Sequence, residues 1–254
     1  MRTSLFALLA LLAVFSALTG CASIVSGGQK SLLIISQPDD ATVEISNVNT
    51  GNLVVKAKTP YTAVLSRDNG FFSKAKYNVK ISKENYLPQE QKIEASLNGW
   101  YWGNIIFGGL IGMLIVDPAT GAMWRISEEN LNVKLYQDTS EGKISMAQEI
   151  TNKGIEYCTN GQYDEAIQAT SKAIALCPEY AEAYCTRAKA YSSLDDNNSA
   201  IQDLDKAVSL KPSYAEALFQ RGSIYHKQNK LDSAKSDMKA ACDMGFKSAC
   251  DYRF

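Results

Sequence analysis

The feature that most constrains this chain is a 34-residue period in its carboxyl-terminal part. Tyr157, Tyr191 and Tyr225 lie 34 residues apart, as do Ala166, Ala200 and Ala234, and again Ala173, Ala207 and Ala241. Gly154, Ala188 and Gly222 keep the same spacing, and Pro212 follows Pro178 by the same step. A period of this length means stacked supersecondary units, none able to bury its apolar face alone. Small residues at recurring positions let two helices cross closely. Each proline stops a helix, because it lacks an amide donor and pushes the preceding residue out of the helical region. Three repeats are predicted, over 147–180, 181–214 and 215–248, which is about the minimum for a stable stack. Phe246 stands where a third proline would, and Gly245 before it reads as a helix C-cap. FKSACDYRF is then a short capping helix over the last repeat, ending at residue 254.

The succession of small, aromatic, small and proline positions, seen most fully in GQYDEAIQATSKAIALCPEYAEAY, resembles the tetratricopeptide repeat over roughly Ala147 to Cys250. The resemblance implies an all-α solenoid whose first helices line a concave groove for a protein or peptide. Mapped onto this chain, the groove positions are Gln148, Thr151, Ile155, Cys158 and Thr159 in the first repeat. The second repeat supplies Glu182, Cys185, Lys189, Ser192 and Ser193, and the third Glu216, Phe219, Ser223, His226 and Lys227. Thr151 and Ile155 occupy the places where chaperone-binding members carry lysine and asparagine to clamp a peptide carboxylate, so that specificity is not expected. Cys242 and Cys250 are eight residues apart, as are Cys177 and Cys185. This resembles the cysteine-rich helical repeats of secreted bacterial proteins, which implies disulfides Cys242–Cys250 and Cys177–Cys185, with Cys158 as the candidate unpaired thiol.

The other end of the chain reads as a targeting segment. Arg2 gives a short positive start, and Leu5 to Leu18 is an apolar run too short to cross a hydrocarbon core of roughly 30 Å comfortably. It ends in Leu18-Thr19-Gly20-Cys21, which resembles the lipobox of bacterial lipoproteins. That resemblance implies a signal peptide over 1–20, lipidation of Cys21 by diacylglyceryl and N-acyl groups, and a tether over 21–30. Several acyl chains on one residue anchor stably where one is marginal. Residue 22 is Ala and not the Asp that holds many such lipoproteins at the inner membrane. The expected location is therefore the outer membrane, with the periplasmic face preferred and the cell surface left open.

From Ser31 the apolar period changes to two, the mark of half-buried strands. SLLIISQPDDATVEIS reads as strand, turn and strand, with Pro38, Asp39 and Asp40 in the turn; YNVKIS and NLNVKLYQ alternate likewise. A small antiparallel β domain is expected over 31–138, making the whole an α+β multidomain chain. The order Pro38, Ala41, Val43, Gly51, Thr59-Pro60, Leu65, Tyr77, Val79, Tyr86 resembles PEGA-type domains of bacterial envelope proteins over roughly 31–95. Asn85 stands where that family usually has glycine. Such domains have binding or spacer roles.

Between the strands lies WYWGNIIFGGLIGMLIV, residues 100–116, uncharged and glycine-rich. As one helix it would reach about 25 Å, at or below the spanning limit. Three readings stand open: a span, an apolar hairpin or helix packed on the sheet, or a segment dipping into the bilayer interface. For the last, Trp100, Trp102, Ile105, Phe107 and Leu110 are the membrane-contact candidates. Strands are expected to resume over 123–137.

No catalytic constellation emerges. The single histidine, His226, removes most metal and triad chemistries and reads as a groove-lining residue. Asp117-Pro118-Ala119-Thr120-Gly121 lacks the glycine-rich lysine loop of a phosphate site and reads as a tight turn. A net charge of −1 gives no basic face for nucleic acid. The expectation is a lipid-anchored envelope scaffold that binds a protein or peptide through the groove, with no catalysis, cofactor or metal. The alternative is an envelope carbohydrate-binding protein or enzyme with its site in the β domain, using Trp100, Tyr101 and Trp102 as an aromatic platform.

Overall fold

The computed structural model describes residues 28–99, 101, 114 and 117–252. The chain divides into two compact units, one ending at Leu135 and one beginning at Tyr136. Cys21, the signal segment, Trp100, Trp102, Ile105, Phe107 and Leu110 lie outside the described residues.

Among the described residues the first unit has nine strands: β1 (Gln29–Gln37), β2 (Thr42–Asn47), β3 (Leu53–Lys58), β4 (Tyr61–Ser66), β5 (Lys76–Ser82), β6 (Gln89–Glu94), β7 (Ser96–Leu97), β8 (Trp124–Arg125) and β9 (Asn130–Lys134). One sheet has the order β4-β1-β9 and a second β3-β2-β5-β6, while β7 and β8 form a separate ribbon. Pairing is antiparallel except between β1 and β9, which run parallel with Ile34 opposite Leu131. The alternation expected of half-buried strands appears directly. Leu32 and Ile34 of β1, Val43 and Ile45 of β2, and Val79 and Ile81 of β5 all point into one shared core. Ala63, Leu65, Leu131 and Val133 close that core from the three-stranded sheet, so the two sheets form a sandwich.

Turn chemistry follows the sequence closely at two places. Asn85 has φ 63°, in the left-handed region that glycine and asparagine fill at least cost. That is the physical reason a glycine suits the position. At the Pro38 end, Ser36 and Thr59 share a hydroxyl hydrogen bond of 2.6 Å, and the Ala41 amide donates to Thr59 Oγ1.

The strands have two distinct ends. Gly28 precedes β1 and its carbonyl accepts from the Arg67 amide, just after β4. A Cβ on Gly28 would meet the Thr120 carbonyl at 3.0 Å, and one on Gly121 would meet Asp68 Cγ at 2.8 Å. The Asn98 amide donates to the Met123 carbonyl. The start of β1, the β4–β5 loop, Asn98 and the helical turn Asp117–Thr120 therefore meet at one end. β9 runs to the other, where the Leu135 amide donates to the Gln37 carbonyl.

Among the described residues the second unit has seven helices: α1 (Ser140–Thr159), α2 (Tyr163–Leu176), α3 (Ala181–Ser193), α4 (Asn197–Leu210), α5 (Ala215–Lys227), α6 (Leu231–Asp243) and α7 (Lys247–Cys250). The Thr139 side chain accepts from the Gly142 amide and caps α1, and Asp196 caps α4 through the Ser199 amide. The recurring alanines are completely buried where paired helices cross. Gly154 shows why one of those positions is smaller still, since a Cβ there would come within 2.8 Å of the Thr170 methyl. Pro178 and Pro212 follow the caps of α2 and α4, and Gly245, at φ 84°, ends α6 and lets α7 turn back.

Candidate functional site

The first helices α1, α3 and α5 hold two recesses that share Lys189, Glu216 and Gln220. The smaller, about 150 Å³, is lined by Thr151 and Ile155 of α1, Glu182, Cys185 and Lys189 of α3, and Tyr214. The larger, about 310 Å³, has Phe219, Ile224 and Phe246 as apolar surfaces and Lys189, Ser192, Glu216, Ser223 and Lys227 as polar ones. Together they make one mixed groove along the repeats. Its charge is uneven. Glu182 is engaged by Lys211 at 2.8 Å, whereas Lys189 and Lys227 form no ion pair among the described residues.

The position of each predicted groove residue follows from helix phase. Ile155, Glu182, Lys189, Ser192, Glu216, Phe219, Ser223 and Lys227 line the recesses. Thr151 and Cys185 reach them only from below, being 1% exposed each. Thr151 spends its hydroxyl on the Ala147 carbonyl, one turn back. Cys158 is buried with Ala166 and Ala190 and borders neither recess, nor does the exposed Gln148. Thr159 donates to Glu156 at the end of α1, and Ser193 joins the rim of the larger recess. His226 turns toward the cap, with its Nδ1 2.9 Å from the Tyr252 hydroxyl and its ring edge-on to that tyrosine.

Of the lining residues that a reading by repeat position misses, two show why. Gln220 lies one turn from Glu216, so the i, i+4 rule places it on the same face. Its amide donates to Cys185 Sγ at 3.4 Å. Phe246 is the second. It stands in the proline position of the third repeat, where the capping segment begins, yet its ring lies 5.1 Å from Phe219 and walls the larger recess.

The cap that carries Phe246 is stapled. Cys242 and Cys250 form a disulfide, as the cysteine-rich repeats imply. The Cys177–Cys185 bridge does not exist; both are free, along with Cys158. Cys177 caps α2 and packs with Ala173 and Tyr180, whereas Cys185 is turned into the core of the second repeat beside Ala217 and Leu204. Burial pushes the Cys185 thiol up to about 12, with the Glu216 carboxylate adding to it. It is a protonated core residue at neutral pH, without thiolate reactivity. Burial also raises the Cys158 thiol.

A charge ladder under the groove fixes the helix pairs. Arg187 makes two parallel bonds of 2.8 Å to Asp203, and Arg221 does the same to Asp237. Both guanidinium groups are held above their usual range, chiefly by these hydrogen bonds. Arg and Asp recur 34 residues apart here, so the signal was present in the period. In the first repeat Lys153 and Ala169 take those places and the ladder stops. Among the described residues no group of three or more His, Cys, Asp or Glu could hold a metal, and no helix is long and apolar enough to cross a membrane.

With this geometry in place, the carboxyl-terminal unit is a tetratricopeptide-repeat domain. A family model for the TPR repeat matches residues 154–195 and 188–229, and a second, for the tetratricopeptide repeat, matches 215–244. The solved structures that resemble the chain do so over part of its length. One is the first TPR of Spaghetti (RPAP3) bound to an HSP90 peptide, 28% identical, with a TM-score of 0.38 over 42% of this chain and 91% of that one. A second is a crystal structure of MamA, 28% identical, with a TM-score of 0.38 over 42% of this chain and 63% of that one. A third is the TPR2B domain of yeast Sti1 in a complex with pHsp70, also 28% identical, with a TM-score of 0.38 over 39% of this chain and 80% of that one. No curated protein matches the chain.

Proposed function

We propose that this protein is a lipid-anchored scaffold of a bacterial envelope that holds a protein or peptide partner in the groove of its repeat domain and carries out no reaction. The observation that carries the binding role is the groove itself: two adjoining recesses walled by the half-buried rings of Phe219 and Phe246, with the exposed Lys189 and the half-buried Lys227 in no ion pair among the described residues. Apolar surface beside unpaired charge is the composition of a recognition site, in which burial supplies affinity and the charges supply register. The anchor rests on the lipobox-like Leu18-Thr19-Gly20-Cys21, with acylation at Cys21 and residence at the outer membrane, periplasmic face. The β sandwich, read as PEGA-like, serves as the spacer.

The test is cross-linking of the full chain in envelope membranes, with Lys189→Ala/Lys227→Ala as the comparison. Both lysines line the groove and neither is buried, so the fold is retained. Specific adducts that disappear in the double variant support the reading. Identical adducts from both proteins refute it.

A further inference from the structure

The β unit is chemically lopsided. At the end where β1 begins, Phe71 and Phe72 stand at the tip of the β4–β5 loop, 62% and 45% exposed. Their rings touch edge to face at 4.9 Å, and the loop is closed beneath them by the Asn69 amide donating to the Ser73 carbonyl. The neighbouring β2–β3 turn adds Val48 and Leu53, 51% and 58% exposed. The two loops are tied together by Asn47 Nδ2 donating to Asn69 Oδ1 at 3.1 Å and by the Val48 amide donating to the Lys76 carbonyl. The opposite end, formed by the turns around Asp39, Thr59 and Glu84, exposes no large apolar side chain among the described residues. Its surface groups are Asp40, Lys58, Lys83 and Glu84.

We infer that the Phe71-Phe72 end of the β unit docks on the lipid bilayer, with the two rings inserted at the interface. The occupant follows from where the chain leads. Gly28 lies at this end, bonded to Arg67, and Cys21 is seven residues before it. Seven residues reach about 25 Å at most, so acyl chains on Cys21 keep this end at the membrane surface and not the other. The uncharged run 100–116 also follows Asn98–Gly99 in sequence and is followed by the turn Asp117–Thr120, whose Thr120 lies against Gly28 and whose next residue, Gly121, lies against Asp68. Two exposed rings at a loop tip fit the headgroup level, where aromatic side chains are favoured. The inference rests on the anchored reading for its orientation, and a protein surface is the competing occupant.

The test uses the chain purified from membranes and reconstituted in phosphatidylethanolamine–phosphatidylglycerol vesicles, with Phe71→Trp and, at the far end, Glu84→Trp. Tryptophan emission is compared in ordinary and brominated-acyl lipids after subtracting the parent protein. Trp at position 71 is expected to be quenched at least twofold by brominated lipid and shielded from aqueous iodide, while Trp at position 84 behaves oppositely. Equal quenching at both positions, or none at 71, overturns the inference and leaves a protein surface as the occupant of the loop. Phe72→Trp repeats the measurement if the first variant folds poorly. The mass of the amino-terminal peptide reads acylation of Cys21 separately. Missing acyl groups refute the anchor, whereas an acylated chain with an unquenched loop refutes only the docking.

Discussion

Replacing Arg187 by Met tests the account of the repeat domain most sharply. The substitution keeps the aliphatic stem and removes the fork that makes two 2.8 Å bonds to Asp203. The side chains are 19% and 9% exposed, so Asp203 would be left as a carboxylate shielded from water with no counter-charge. Breaking a fully buried pair costs about 3–5 kcal/mol, and breaking an exposed one about 0–1. With the aspartate nearly buried and the arginine partly wet, Arg187→Met is expected to cost about 2–4 kcal/mol. Asp203→Leu alone strands the arginine, which can still reach water and Ser171, so it costs less. The double variant Arg187→Met/Asp203→Leu leaves no orphaned charge and is expected to lose less than Arg187→Met alone. Urea unfolding followed by helical circular dichroism supplies the four corners of the cycle. As an internal standard, Glu182→Gln removes the exposed Lys211 pair and is expected to change stability by less than about 1 kcal/mol. Additive single effects, with coupling below about 0.5 kcal/mol, would refute the argument that the ladder locks α3 to α4.

Other outcomes follow from the same structure. Cys242→Ser with Cys250→Ser opens the eight-residue staple of the cap and is expected to lower stability by about 2–3 kcal/mol on the chain-entropy account, read by thermal melts with and without reductant. Titrated with a thiol reagent, Cys158 and Cys185 should react only on unfolding; denaturation without reductant then releases the three thiols of Cys158, Cys177 and Cys185 in addition to any contributed by Cys21. Gly154→Ala is expected to cost about 1–3 kcal/mol by overpacking, because Thr170, whose hydroxyl is held by the Ala166 carbonyl, cannot yield its methyl. The Asp196 carboxyl is held below its usual value by its bonds to Ser199, so its contribution to α4 is complete above the unfolded carboxylate range and fades as pH falls through the lower folded value. Asp196→Ala should therefore lower the melting temperature at pH 7 and make no difference in strong acid.

The groove was legible only in part, and the misses share a cause. A 34-residue period tells which residues are equivalent between repeats, and so it placed Glu182, Lys189, Phe219 and Lys227 on the groove side. It does not tell how deep each sits. Cys158 occupies a repeat position that faces the groove in outline, but the rotation of α1 sends it into the helix contacts, while Cys185 lines the smaller recess only from its buried floor. The Cys177–Cys185 pair failed for the same reason, since equal spacing in sequence does not aim two side chains at each other.

By itself the sequence determined the repeat period, the alternation of the strands, the helix stops at Pro178 and Pro212 and the left-handed turn at Gly245, because each depends on residues near one another along the chain. Only the tertiary structure decided that β9 runs parallel beside β1, that Phe246 of the cap completes the groove of the third repeat, and that Phe71 and Phe72 share an end with Gly28. Those are contacts between segments far apart in sequence. They are selected by which apolar faces can be buried together and which hydrogen bonds can then close, and no local pattern of residues carries that choice.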